Sequence, residues 1–277
     1  MQNKLLLTLK LMRADKPIAY LLVFFPALFG LLLANPSKSE LMHLIPLFIL
    51  GSITTRSGGC IINDIFDRKF DKHVARTKNR PLASGALSVS YAISIIVILS
   101  IISLFILLSL SKIAIYIGFF AVIMISIYPL MKRITYFPQV FLGVTFNLGT
   151  LIAYAAVQDT LDLAAIIMYL ACCFWTVGYD TIYGFADIED DKKIGIKSLS
   201  IYLENKHYKF WLYAFYVGFI LLFVLAAGHN IDYLPIIAAL ILLALQVVTL
   251  DIKNPVNCMT RFRANNYVGL LLSLAFC

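Results

Sequence analysis

Long polar stretches are absent from this 277-residue sequence, and charge is scarce throughout, with Asp, Glu, Lys and Arg making up only 14% of it. Soluble globular chains are about 25% charged, so an ordinary soluble fold is excluded and no segment could form a separate soluble domain. The five cysteines, Cys60, Cys172, Cys173, Cys258 and Cys277, lack the spacing of a metal site or a disulfide framework. Most lie in apolar runs, where cysteine serves as a small hydrophobe. A small-residue cleavage site is missing from the N-terminal "MQNKLLLTLKLMRADKPIAYLLVFFPALFGLLLA". Its apolar run is long enough to span a bilayer, so it reads as a first membrane helix and not as a removable signal.

What is present is hydrophobic residues, 61% of the chain, with a mean hydropathy of +0.88. They fall into repeated apolar stretches of roughly 20 residues, the length of a transmembrane helix. Nine segments can be drawn, near 18–35, 42–62, 89–110, 112–129, 137–157, 163–186, 209–228, 232–250 and 263–277, the last being short. The expectation is an all-α integral membrane protein, one transmembrane domain over residues 1–277, built as a bundle of about nine helices. An odd number of spans puts the two termini on opposite sides. Of the 23 Lys and Arg, all but Lys38, Lys112 and Arg56 fall on the side of the N-terminus, in the alternate loops that follow the second, fourth, sixth and eighth segments. By the positive-inside rule that side, with the N-terminus, is cytoplasmic. The net charge of +8 is thus a topology signal. Nucleic acid is not an expected partner, because the bases are spread over short membrane loops.

Topology explains the bases of "CIINDIFDRKFDKHVARTKNRPLASG" but not its acids. Asn63, Asp67 and Asp71 recur at i, i+4 and i+8, one face of a helix continuing from the second segment. The sixth segment ends similarly in "YDTIYGFADIEDDKKIGIKS", where Asp180, Tyr183, Asp187 and Asp191 follow one helical stripe. Of 15 Asp and Glu, eight lie in these two clusters: Asp64, Asp67, Asp71, Asp180, Asp187, Glu189, Asp190 and Asp191. Asp180 is expected inside the hydrocarbon boundary, where an ionisable group is costly and usually functional. Like charges so spaced repel unless a cation sits among them, and oxygen ligands without His or Cys suit Mg²⁺ completed by water and substrate phosphates. The alternative is that the acids are solvated loop charges balancing the lysines. A metal–phosphate site also needs bases for the remaining phosphate oxygens; Arg76, Arg80, Lys132, Arg133 and Lys197 stand close to the clusters. Together these features describe a Mg²⁺-bridged diphosphate at a membrane surface, its organic part among apolar helices, as a polyprenyl diphosphate would require.

Here the chain resembles a known family. "NDIFDRKFD" fits the NDxxDxxxD motif, and "DTIYGFADIEDD" the DxxYxxxDxxxD motif, of the UbiA-type intramembrane prenyltransferases. "RTKNRPLASG", "YPLMKR" and "DKKIGIKS" resemble further segments of the members that act on 4-hydroxybenzoate in ubiquinone synthesis. Gly184 departs from the Ala common after the motif tyrosine, without altering the acid spacing. The resemblance, which runs from about "RADKPIAY" to "GIKS", implies nine helices around a central cavity with both acidic motifs at its cytoplasmic end, in a bacterial inner membrane. It implies Asn63, Asp67 and Asp71 at one metal site and Asp180, Asp187 and Asp191 at the other. It further implies Arg76, Arg80 and Lys132 on the diphosphate, Arg56 on the acceptor's carboxylate, and Tyr128 and Tyr183 close to the reacting carbons. Arg56 is also the only base well inside a span, with no acid one turn away. The implied partners are polyprenyl diphosphate, an aromatic acid and membrane lipid. Naphthoate, haem or chlorophyllide are alternative acceptors. A divalent-cation transporter is a different class, but it calls for acids near mid-bilayer in symmetry-related repeats.

Overall fold

The computed structural model describes residues 3–15, 17–72, 77–193, 195–229 and 231–277, and leaves the Lys132 side chain aside. Among these residues every regular element is a helix: α1 (Lys4–Leu11), α2 (Ile18–Leu33), α3 (Lys38–Asp71), α4 (Val89–Leu108), α5 (Lys112–Ile134), α6 (Pro138–Phe146), α7 (Leu148–Gln158), α8 (Leu163–Phe185), α9 (Ile188–Lys193), α10 (Leu199–Leu203), α11 (Tyr208–Ala227), α12 (Tyr233–Val248) and α13 (Pro255–Leu274). A short oxygen-bearing side chain opens most of the long ones. Ser37, Ser88, Ser111, Asp162, Asp232 and Asn254 each accept a hydrogen bond from a first-turn amide, satisfying donors that apolar surroundings would leave without a partner.

Six of the described helical segments are long and apolar enough to cross a membrane: Lys38–Asp71, Val89–Leu108, Lys112–Met131, Pro138–Gln158, Leu163–Phe185 and Tyr208–Ala227. Ile18–Leu33 and Tyr233–Val248 are apolar but shorter. The surface is inverted relative to a soluble protein. Phe105, Tyr116, Leu163 and Leu234 are exposed on the outside of the bundle, as helices solvated by acyl chains require. The main core lies between α2, α8, α11, α12 and α13, around Phe29, Trp175, Phe219 and Phe223. Trp175 stacks on Phe219 with centroids 5.1 Å apart.

The structure departs from the sequence expectations in ways that matter for the site. The segment at 137–157 is two helices, α6 and α7, parted at Asn147 (φ −85°, ψ 1°). The Asn147 side-chain amide donates to Gly143 O at 2.7 Å and to Thr176 Oγ1 at 2.8 Å, a local side-chain alternative to the regular helical ladder. The second acid stripe is not one continuous helix either. α8 stops at Phe185, the chain turns through Ala186 and Asp187, and Asp191 sits on α9. α5 runs past 129 to Ile134, so Lys132 and Arg133 belong to its last turn and not to a loop, and α13 begins at Pro255, ahead of the expected 263.

The α3 helix is 34 residues long, roughly 51 Å at the helical rise against a hydrocarbon core of about 30 Å. That surplus allows one rod to carry Arg56 within a span and the acids beyond it. Close packing of α2 on α7 depends on Gly30, because a Cβ there would collide with the Thr150 carbonyl oxygen of the backbone. Backbone cannot yield as a side-chain tip can, so Gly30→Ala is expected to cost about 1–3 kcal/mol and to lower the unfolding midpoint in detergent. Gly51→Ala, which meets nothing within 4 Å, serves as the control in the same thermal scan and should leave the midpoint in place.

Candidate active site

A cavity of about 450 Å³ opens at the end of the bundle where α3 and α8 finish. α3 contributes Arg56, Asn63, Asp67 and Asp71; α8 and the turn after it contribute Asp180, Tyr183 and Asp187; and α9 contributes Asp190 and Asp191. Arg80, Tyr128, Arg133 and Lys197 complete the sequence-derived set on its wall. Arg76 lies outside the described residues, and Lys132 is placed only by its backbone in α5. Two acidic motifs more than a hundred residues apart thus face one space.

The break at Ala186 is held from outside. Ser200 of α10 donates to Thr181 O at 2.8 Å, against Gly184, where any Cβ would collide with the Ser200 hydroxyl. Lys192 of α9 lies 2.6 Å from Glu204, just after α10. The Glu204 hydrogen bond raises the Lys192 pKa above its ordinary value, so this tie persists through the neutral range. Gln139 of α6 accepts from Leu199 N at 2.9 Å and anchors the segment that carries Lys197.

On the α3 side the bases are already engaged. Asp64 is 1% exposed and receives Arg13 through both carboxylate oxygens, at 2.7 and 3.0 Å. Arg80 bridges Asp64 at 3.2 Å and Asp71 at 2.8 Å. Asp64 is therefore no solvated loop charge, and Arg80 sits between two carboxylates in this state. Arg133 lies 3.8 Å from Asp67 and over the Phe70 ring at 5.5 Å. Lys197 reaches the Ile134 carbonyl at 3.4 Å and lies over Tyr136 at 5.4 Å.

Deeper in, the walls become aromatic. The Arg56 guanidinium lies over Phe146 at 5.6 Å, and Tyr128 approaches the same ring at 6.0 Å. Among the described residues no carboxylate forms an ion pair with Arg56. Phe262 of α13 meets Tyr183 edge-on at 5.1 Å and Tyr179 at 5.8 Å.

Sequence reasoning read Arg13 only as a topology charge and passed over Tyr179, Gln139 and Phe262. Arg13 has a left-handed backbone (φ 65°), uncommon for a residue other than glycine. No local spacing could pair it with an acid 51 positions away.

Among the described residues no three His, Cys, Asp or Glu side chains gather closely enough to form a metal cage. Two separated carboxylate groups facing one cavity, with basic side chains on the same wall, nevertheless fit Mg²⁺, which takes one or two carboxylates and completes its shell with water and phosphate oxygens. The site can hold a metal–diphosphate head at its mouth and an apolar chain and aromatic ring further in.

The UbiA prenyltransferase family model matches residues 23–270. The chain is 39% identical over 277 residues to a 4-hydroxybenzoate octaprenyltransferase of Escherichia fergusonii, covering 99% of this chain and 95% of that one. It is 37% identical over 265 residues to the protein of that name from Francisella tularensis subsp. novicida, covering 95% and 93%. Its fold is similar to a UbiA homolog from Aeropyrum pernix K1, with a TM-score of 0.71 at 23% identity over 91% of this chain and 94% of that one. It is similar also to a UbiA homolog from Archaeoglobus fulgidus bound to GPP and Mg²⁺, with a TM-score of 0.68 at 18% identity over 98% of each.

Losing one member of a buried charge group strands the others, at about 3–5 kcal/mol. Asp64→Ala would strand Arg13 and Arg80 together and is expected to lower thermal stability by that order. Asp190→Ala, at a partly exposed position on the same cavity, should change it little; equal melting shifts for the two would contradict the assignment of Asp64 as the buried hub.

Proposed function

The chain belongs to the UbiA prenyltransferase family, and from that premise we propose that it transfers a polyprenyl group from polyprenyl diphosphate to the ring carbon ortho to the hydroxyl of 4-hydroxybenzoate, with Mg²⁺, in ubiquinone biosynthesis. The observation that carries this reading is the convergence of both acidic motifs on one cavity that also receives Arg56 and two tyrosines. Its support is the relatives named for that acceptor, 37–39% identical over nearly the whole chain. The same reading takes the 277 residues as one transmembrane domain with nine crossings. Its N-terminus is cytoplasmic and its cavity opens to the cytoplasm across a bacterial inner membrane.

In this mechanism Asn63, Asp67 and Asp71 would hold one metal and Asp180, Asp187 and Asp191 the other. Bound Mg²⁺ supplies charge withdrawal from the leaving diphosphate. Arg80, Arg133 and Lys197, with Arg76 and Lys132, grip the remaining phosphate oxygens. For Arg80 this requires an exchange of one partner, Asp71, for phosphate, while Asp64 keeps it in place; Asp71 would then be available as a ligand. As the C1–O bond of the prenyl diphosphate breaks, diphosphate leaves and an allylic cation remains, flanked by the π faces of Tyr128 and Tyr183. The ring carbon ortho to the phenol oxygen attacks C1 and the ring proton is lost. Aromatic walls and surrounding lipid keep water from quenching the cation. Arg56 takes the acceptor's carboxylate in a bidentate pair and sets the ring's depth.

Asp67→Ala and Asp187→Ala should each abolish turnover while leaving a folded, inserted protein, and EDTA should do so reversibly. The assay is prenylation of radiolabelled 4-hydroxybenzoate in membranes given Mg²⁺ and a set of polyprenyl diphosphates. More than a few per cent of wild-type rate in either variant would sink the two-site model. Arg56→Ala should raise KM for 4-hydroxybenzoate steeply and leave that for the prenyl diphosphate nearly unchanged, with only partial rescue by Arg56→Lys. Equal losses for both substrates would remove Arg56 from the acceptor site.

A further inference from the structure

We propose that Tyr179 is a second hydrogen-bond donor to the acceptor's carboxylate, working beside Arg56 and setting a preference for acidic over neutral phenols; this rests on the acceptor reading above. A directional chain of hydrogen bonds leads to it. Asn147 Nδ2 donates to Thr176 Oγ1 at 2.8 Å, and Thr176 Oγ1 donates to Tyr179 Oη at 3.1 Å. All three residues are buried, at 1%, 0% and 5% exposure. An amide NH₂ can only donate, so it obliges Thr176 to accept, and Thr176 hands its own hydrogen on to the phenol. Tyr179 is thereby left with one hydrogen to give, and among the described residues nothing receives it.

The ring is also fixed in place. Trp175 and Phe262 meet it edge-on at 5.6 and 5.8 Å, and it lines the same cavity as Arg56. A buried donor without an acceptor is costly, and here it borders the cavity that Arg56 also lines.

Depth identifies the acceptor atom. Arg56 precedes Asn63 by seven residues of α3, about 10 Å, and Tyr179 precedes Phe185, the last residue of α8, by six, about 9 Å. Both stand inside the ends of their helices, deeper than Asp67, Asp71, Asp187 and Asp191, with Asp180 the one acid next to Tyr179 in sequence. The ring carbon that attacks C1 must face the diphosphate, so its neighbouring phenol oxygen lies toward the mouth and the para carboxylate lies deep. A carboxylate offers more lone pairs than one guanidinium fork uses, and a fixed phenol can fill another.

The Asn147 break serves both donors. Phe146, under Arg56, is the residue immediately before the amide that starts the chain to Tyr179. One helix joint thus supports the two groups from their far sides.

The test uses full-length protein in lipid nanodiscs, with 4-hydroxybenzoate and its uncharged methyl ester as acceptors. Tyr179→Phe should raise the KM and the equilibrium Kd for 4-hydroxybenzoate about tenfold, leave the KM for prenyl diphosphate unchanged, and shrink the acid-to-ester preference by the same factor. Thr176→Val, which withdraws the hydrogen given to Tyr179, should shift the same ratio in the same direction in a protein with its phenol intact. In the Tyr179→Phe background it should add nothing. An unchanged acid-to-ester ratio in folded Tyr179→Phe overturns the inference. Should that variant not fold, an unchanged ratio in Thr176→Val does so. If wild-type protein turns over 4-hydroxybenzoate while these ratios stay flat, only Tyr179 is misassigned; if wild type takes no 4-hydroxybenzoate, the acceptor reading falls and this inference with it.

Discussion

Concentrating negative charge at one end of a lipid-wrapped bundle is the constraint on which the rest of this structure depends. Asp64, Asp67 and Asp71 lie within two turns of α3, and Asp180, Asp187, Asp190 and Asp191 face them. Carboxylates so close in a poorly solvated site repel strongly. Part of the compensation is internal. Arg13 and Arg80 share the buried Asp64, and Arg80 also takes Asp71. This group joins the start of the chain and the segment after α3 to the acid-bearing end of α3, with Thr77 adding a 3.1 Å bond to the Asp71 carbonyl. Its geometry suits a site that must accept a still more highly charged ligand, because an arginine held by two acids can trade one of them for phosphate without leaving its place.

Helix irregularity supplies the second requirement, polar groups at chosen depths. In hydrocarbon a broken helix is tolerated only where other groups satisfy the freed backbone. Asn147 does this at the α6–α7 joint with its own amide, and the remainder of that amide reaches Thr176 on α8. At the end of α8 the chain turns at Ala186, and Lys192 fastens α9 to Glu204. Both breaks border the cavity, so local loss of helix is spent on orienting side chains.

From mouth to depth the cavity changes from carboxylate and base, through Tyr128 and Tyr183, to Arg56, Phe146 and Tyr179. That gradient matches the polarity of a reaction in which diphosphate leaves at the surface and a cation reacts beneath it. Most charged groups gather at the mouth, where Asp64 is buried against Arg13 and Arg80, and aromatic faces line the wall further in. Arg56 is set apart from them, a cation resting on an aromatic ring with no carboxylate paired to it among the described residues, which on the proposed reading leaves it for the acceptor's carboxylate.

The sequence by itself determined the class of the molecule and named most of the residues that the fold brings to one cavity. Hydropathy is a property of each segment, so each of the nine apolar stretches is helical, including the weakest, with the fifth divided into α6 and α7; among the described residues six segments are long and apolar enough to cross a membrane. Residue spacing within a helix is local geometry, so Asn63, Asp67 and Asp71 share a face as their numbers require. Tertiary structure alone decided what depends on neighbours distant in sequence. Arg13 finds Asp64 only when α1 folds back on α3, and Tyr179 acquires its donor chain only through the packing of α7 on α8. The breaks at Asn147 and Ala186 escape notice for a similar reason. Both lie in sequence with helical periodicity, and each depends on a contact, with Thr176 or with Ser200 and Glu204, that hydropathy and spacing do not encode.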